Sequence, residues 1–148
     1  MTATATTRIE DLTLNIAEEI FVRASLDTTF STLLEQLGPY NENPNGKMPM
    51  KLEAWPGGRW YRDLGDDNGH FWGNVQAIKR PTLLEICGPL FMSSPVASNL
   101  QYRLSEADGG TLIKFHHKAF GLIEVEHRRA KEGWASIHER VKARAEAR

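Results

Sequence analysis

Two adjacent histidines, His116 and His117, stand in the run Lys114-Phe-His-His-Lys-Ala-Phe-Gly121, and His127 and His138 follow. Imidazole titrates near neutral pH, so each can act as a general base, a hydrogen-bonding handle or a metal ligand. The run alternates as a strand does. Ile113, Phe115, His117 and Ala119 then share one face, and Lys114, His116 and Lys118 the other. Two histidines on opposite faces of a strand cannot hold one metal ion. His127 and His138 fall on one side of a helix but three turns apart, about 16 Å by helix rise. With no His-x-x-x-His or carboxylate-bracketed pair, no zinc or iron centre and no cofactor is expected. His117 is left as an inward imidazole. It can orient the polar end of a ligand or act as a base; otherwise it is a core histidine bonded to Tyr102, to water or to polar atoms of a helix. His127, near the start of the last helix, approaches the same opening.

Arg59, Arg62 and Arg103 lie on strands and could clasp an anionic group. Alternation turns Arg103 outward, and solvated strand-face charges are the default for all three. Trp55, Trp60 and Trp72 cluster around hairpins, where large aromatics line a pocket or fill the core. Trp134 sits within an apolar helical stripe as a core residue, with Gly133 expected to allow close approach of a strand. Ser93-Ser94-Pro95 lacks a histidine and acid in any triad spacing, and there is no Gly-x-Ser-x-Gly elbow, P-loop or dinucleotide fingerprint.

The elements that must position these residues follow from periodicity. Ile16, Ile20 and Val22 alternate along a strand over 16–24, with Glu18 between them on the same face. Phe30, Leu33, Leu34 and Leu37 then recur at helical spacing, with Asp27 as the expected cap and Gly38-Pro39 as the stop. Residues 40–49 carry loop signals, with room for a further helical turn. From Met50 to Phe120, six strands alternate with Gly-, Asn- and Pro-rich turns, an antiparallel meander. Residues 123–146 read as one long helix with Ile123, Ala130, Trp134, Ile137 and Val141 on its apolar face. The fold class is α+β: a curved seven-stranded antiparallel sheet around a long C-terminal helix, with one or two short helices after the first strand.

The chain has 148 residues, 41% hydrophobic and 25% charged, with a net charge of −1. That length suits one domain, expected over residues 9–148 after a tail over 1–8. The near-neutral charge argues against nucleic acid as a partner, and no apolar run approaches the roughly 20 residues of a membrane span. The opening MTATATTRIEDL has neither the basic start nor the apolar centre of a secretory signal, so a cytoplasmic location is expected. The single cysteine, Cys87, excludes an internal disulfide and is expected to be a buried, inert thiol.

Four stretches in order, VRASLDTTFSTLL, WPGGRWYRD, WGNVQAIKRPTLLEI and DGGTLIKFHH…EGWASIHERV, resemble the START-like helix-grip superfamily, the fold of the birch-pollen allergen. Within it they are most similar to the bacterial homologues of the activator of the heat-shock-protein-90 ATPase. The resemblance spans roughly residues 16–145 and implies a ligand-sized cavity between sheet and helix, but carries no shared catalytic motif. The leading expectation is a binding module for a small hydrophobic or amphipathic molecule. Its lining would be Trp60, Trp72, Tyr102, Phe115, His117 and His127, with Leu100 and Ile113 as apolar wall. The alternatives are a cyclase-, dehydratase- or hydrolase-type enzyme using His117 as base, and a protein-interaction module regulating a chaperone. A homodimer through an edge strand or the helix stays open.

Overall fold

Alternation carries the first strand further toward the N-terminus than the apolar run alone suggests. The computed structural model describes residues 6–91 and 93–148, so residues 1–5 of the expected tail lie outside the described residues. A 3-10 turn at Ile9–Leu12 leads into β1, Thr13–Val22. Leu14, Ile16, Ile20 and Val22 are buried on one face, and Glu18 is half-buried among them. Helix α1, Leu26–Leu37, buries Phe30, Leu33 and Leu37. Its cap is Ser25 rather than Asp27: the Ser25 hydroxyl accepts from the Thr28 amide at 3.1 Å. Asp27 lies inside the first turn instead, where its negative charge meets the positive end of the helix.

Where a loop or helical turn was expected, the chain makes a small hairpin, β2 (Glu42–Asn43) and β3 (Gly46–Lys47). Its turn chemistry is local. The Asn43 side chain accepts from the Asn45 amide at 2.8 Å, and Gly46 takes φ +124°. The hairpin is tied at its base by Met48 N–H to Asn41 O (2.9 Å) and Met50 N–H to Gly38 O (2.9 Å).

The meander follows: β4 (Lys51–Leu52), β5 (Arg59–Gly65), β6 (Asn68–Lys79), β7 (Leu83–Gly88), β8 (Val96–Ala107) and β9 (Gly110–Gly121). The seven-stranded sheet has the order β1-β9-β8-β7-β6-β5-β4, antiparallel throughout. Its inner face holds the core, including Val75, Leu84, Ile86, Leu100, Tyr102, Ile113 and Phe115.

The expected single helix over 123–146 is two pieces, α2 (Val125–Arg128) and α3 (Ala130–Glu146), with a break at Arg129. The first piece is a tight turn whose Glu124 amide donates to His127 Nδ1 at 2.9 Å, and its closing backbone bonds are of the i→i+3 kind. Along α3 the buried residues are Trp134, His138, Val141 and Ala145, spaced four, three and four apart. This helix also guards the exposed edge of β1. Lys142 Nζ donates to Phe21 O (2.7 Å), and Glu146 accepts from the Arg23 amide (2.9 Å). Among the described residues no helix is long and apolar enough to cross a membrane.

Candidate functional site

A β-bulge sets the aromatic floor of the site. Trp60 pairs with Gly73 while the next residue, Tyr61, pairs with Phe71, so Trp72 is the extra residue on β6. Strict alternation would send Trp72 outward. The bulge instead lets it join Trp60 on the inner face, their rings edge to face with centroids 4.9 Å apart. Gly73 fits because a side chain there would strike the backbone of β7: its Cβ would lie 2.6 Å from Cys87 O. Past β7, the Leu90 amide donates to Trp72 O at 2.7 Å, which brings Phe91 over the Trp72 ring (5.7 Å) and beside Trp134 (6.2 Å).

These rings back a cleft of about 640 Å³. One wall is the helix flank, with Ala130, Gly133, Trp134, Ser136 and Ile137. The other is the hairpin segment, with Asn41, Asn43, Pro44 and Met48. Arg140 on the helix pairs with Glu42 on the hairpin at 3.2 Å and ties the two walls together. Glu126, Arg129 and Glu132 are exposed at the rim. The cleft therefore opens beside the helix rather than beneath it.

Of the side chains expected to line a cavity, Trp72 is in the cleft wall. Trp60, Leu100, Tyr102, Ile113, Phe115 and His117 are packed in the core, and His127 is buried at the base of α2. Trp60 closes its own polar atom internally, its indole N–H donating to Leu37 O at 2.7 Å. Trp55 is exposed. Cys87, expected to be buried, is exposed on the outer face of the sheet. Arg59 is held by both carboxylate oxygens of Glu53 (2.7 and 2.9 Å), and Arg103 points outward and donates to Gln101 (3.0 Å).

His117 sits behind the cleft, not in it. Trp134 Nε1 is a pure donor and reaches His117 Nδ1 at 3.0 Å, so that nitrogen is the unprotonated one. Nε2 then carries the proton and donates to Ser98 Oγ at 3.1 Å. Burial, reinforced by His116 and His127, lowers its pKa to about 4. Neutral, enclosed and with its lone pair occupied, this imidazole has no atom free to take a proton from a substrate.

A second buried polar group went unrecognised in the sequence. His138 Nε2 lies 2.9 Å from the Tyr102 hydroxyl, and its Nδ1 makes a 2.5 Å bond to Glu18 Oε1. Burial holds His138 below the ordinary histidine range against the opposing pull of Glu18, and it holds Tyr102 well above the ordinary phenol range. The arrangement that satisfies every atom is a neutral ring with Nδ1–H donating to Glu18 and the Tyr102 hydroxyl donating to Nε2. Its sequence signal is Glu18 itself, an acid on the apolar face of β1 that must find a partner when covered. Among the described residues there is no group of three or more His, Cys, Asp or Glu placed to hold a metal ion.

Residues 31–146 match the profile of the activator of Hsp90 ATPase homolog 1-like protein family. The chain belongs to that family. None of the curated proteins matches it. Among solved structures it is similar to Ara h 8.0201 at 15% identity and TM-score 0.67, covering 92% of this chain and 99% of that one. It is also similar to the Aha1 dimer from Colwellia psychrerythraea at 14% identity and TM-score 0.64, over 90% and 96% of the two chains. A third neighbour is the di-domain ARO/CYC StfQ of the steffimycin biosynthetic pathway, at 13% identity and TM-score 0.65. There the match covers 94% of this chain and 52% of StfQ. At these identities the shared property is the helix-grip fold.

Proposed function

We propose that this family member binds a small hydrophobic or amphipathic molecule in the cleft between the C-terminal helix and the β2–β3 hairpin. The observation that carries this reading is the cleft: about 640 Å³, backed by Trp72, Phe91 and Trp134 and flanked by Met48 and Ile137. That volume falls within the roughly 300–1,000 Å³ of ligand pockets, which combine apolar walls with a few polar groups at the edge. Binding comes from apolar burial, at about 25 cal/mol per Å², with Asn41, Asn43 and Ser136 as polar contacts at the margins. Native mass spectrometry of protein purified from its source is the first test, paired with titration by the uncharged fluorescent probe N-phenyl-1-naphthylamine. A co-purifying small molecule, or probe binding that Ile137→Glu abolishes without unfolding the protein, supports the cleft. Probe binding untouched by Ile137→Glu sinks it.

A second reading rests on a separate surface. Phe120, Leu122 and Val125 are large apolar side chains left exposed where β9 passes into α2. Thr13 opposite Phe120 in the sheet brings the exposed Ile9 toward the same end. An exposed apolar patch of this kind suits a protein partner or a second copy of the chain. Sedimentation of the wild type and of Phe120→Ser across a concentration series tests the self-association form. A mass that stays monomeric in both removes it.

A further inference from the structure

Gly133 has no packing duty. It lies within α3, and glycine is among the poorest formers of helix interiors. Two circumstances ordinarily keep a glycine in such a place, a backbone angle that other residues avoid or a neighbouring chain pressed close. Neither applies. Its backbone is right-handed helix, and a Cβ built there meets no atom within 4 Å. The close strand approach expected from the sequence is absent; the missing side chain leaves open space, and that space is the cleft.

The bare backbone at Gly133 has Ala130 and Ser136 one turn to either side, so the helix wall is shallow along this line. The rings of Trp72, Phe91 and Trp134 stand around it at steep mutual angles, 62° and 59° for the two pairs involving Phe91. Aromatic side chains in a pocket wall favour another ring, stacked or edge to face, over a flexible aliphatic chain. The charged side chains add little pull, since Arg140 is engaged by Glu42 and Glu126, Arg129 and Glu132 are exposed.

We infer that the cleft takes an uncharged molecule with a flat conjugated face, which lies directly against the helix backbone at Gly133. This rests on the cleft being the binding site, as proposed above. A ring at van der Waals distance sits about 3.5–4 Å from the glycine Cα, so even one methyl group at this position would intrude on it. Gly133 is thus a specificity-determining contact rather than a structural glycine.

The two roles differ in sign. Calorimetric titration of the full chain with naphthol, flat and uncharged, and with decanol, equally carbon-rich but flexible, separates them. Wild type is expected to bind naphthol more tightly than decanol. Gly133→Ala is expected to weaken naphthol binding by about tenfold, as contact with the displaced ring is lost, while raising the melting temperature because alanine is the better helix former. Gly133→Val should abolish naphthol binding. Equal affinity for the two probes, or naphthol binding unchanged by Gly133→Ala, overturns the flat-face inference and leaves the cleft reading standing. A lower melting temperature for Gly133→Ala assigns the glycine to packing and overturns it as well. If neither probe binds the wild type, both readings fall together.

Discussion

The indole nitrogen of Trp134 and the Nδ1 of His117, 3.0 Å apart, join the back wall of the cleft to the centre of the sheet. Trp134 is a cleft residue on one side and a hydrogen-bond donor to the core on the other. Its orientation therefore depends on a histidine that does not itself line the cleft. Replacing His117 by Leu removes the acceptor and strands a buried indole N–H, at a cost of about 1–3 kcal/mol. His117→Gln can still accept from Trp134 and donate to Ser98, so it should recover much of that loss. Urea unfolding followed by tryptophan fluorescence checks both variants, and equal stability of Leu and Gln at this position would refute the coupling.

The same histidine gives the fold a pH dependence of known sign. Its folded pKa, about 4, lies below the ordinary 6.5, so between these values the unfolded chain binds the proton and the folded one does not. Stability is full above pH 6.5 and falls as the pH drops toward 4, by an amount on the order of 3 kcal/mol. His138, whose pKa is also depressed by burial, pulls in the same direction. Denaturant midpoints measured from pH 7 to pH 4 should decline in the wild type and decline less in His117→Gln.

The fold was readable because its punctuation is chemical. The change from alternating to helical spacing at Phe30, and the Gly and Asn residues between strands, force turns whatever the ligand. The inward direction of His117 was readable for the same reason, since β9 runs without a bulge through His116 and His117. The cleft was not. Its hairpin wall, with Asn41, Asn43, Pro44 and Met48, comes from a segment that shows no periodicity, and its floor depends on an extra residue, Trp72, that breaks alternation. His138 was hidden by its own chemistry, because a polar residue in an apolar helical stripe is intelligible only beside Tyr102 and Glu18, distant in sequence.

Tyr102 and His138 should behave as one energetic unit. Tyr102→Phe leaves Nε2 of a buried imidazole without its donor, and His138→Leu leaves the phenol hydroxyl without its acceptor. Each single change is expected to cost about 1–3 kcal/mol, whereas the double variant should cost less than their sum because no orphaned group remains. Equilibrium unfolding of the four proteins in the cycle measures the coupling directly, and strict additivity would count against the pair.

Gly73 is the reverse of Gly133. A Cβ there would lie 2.6 Å from Cys87 O and 3.0 Å from the Ile86 side chain, so the sheet itself must move to admit it. Gly73→Ala is therefore expected to destabilise the protein by about 1–3 kcal/mol. It should also disturb Trp72, the neighbouring bulge residue whose carbonyl holds Leu90 and, through it, Phe91. The near-ultraviolet circular dichroism of the Trp60–Trp72 pair, 4.9 Å between centroids, reports that disturbance. Paired measurements on the two alanine variants then have opposite expected signs, stability falling at 73 and rising at 133. The strand glycine is required by protein atoms already in place. The helix glycine faces the open space of the cleft.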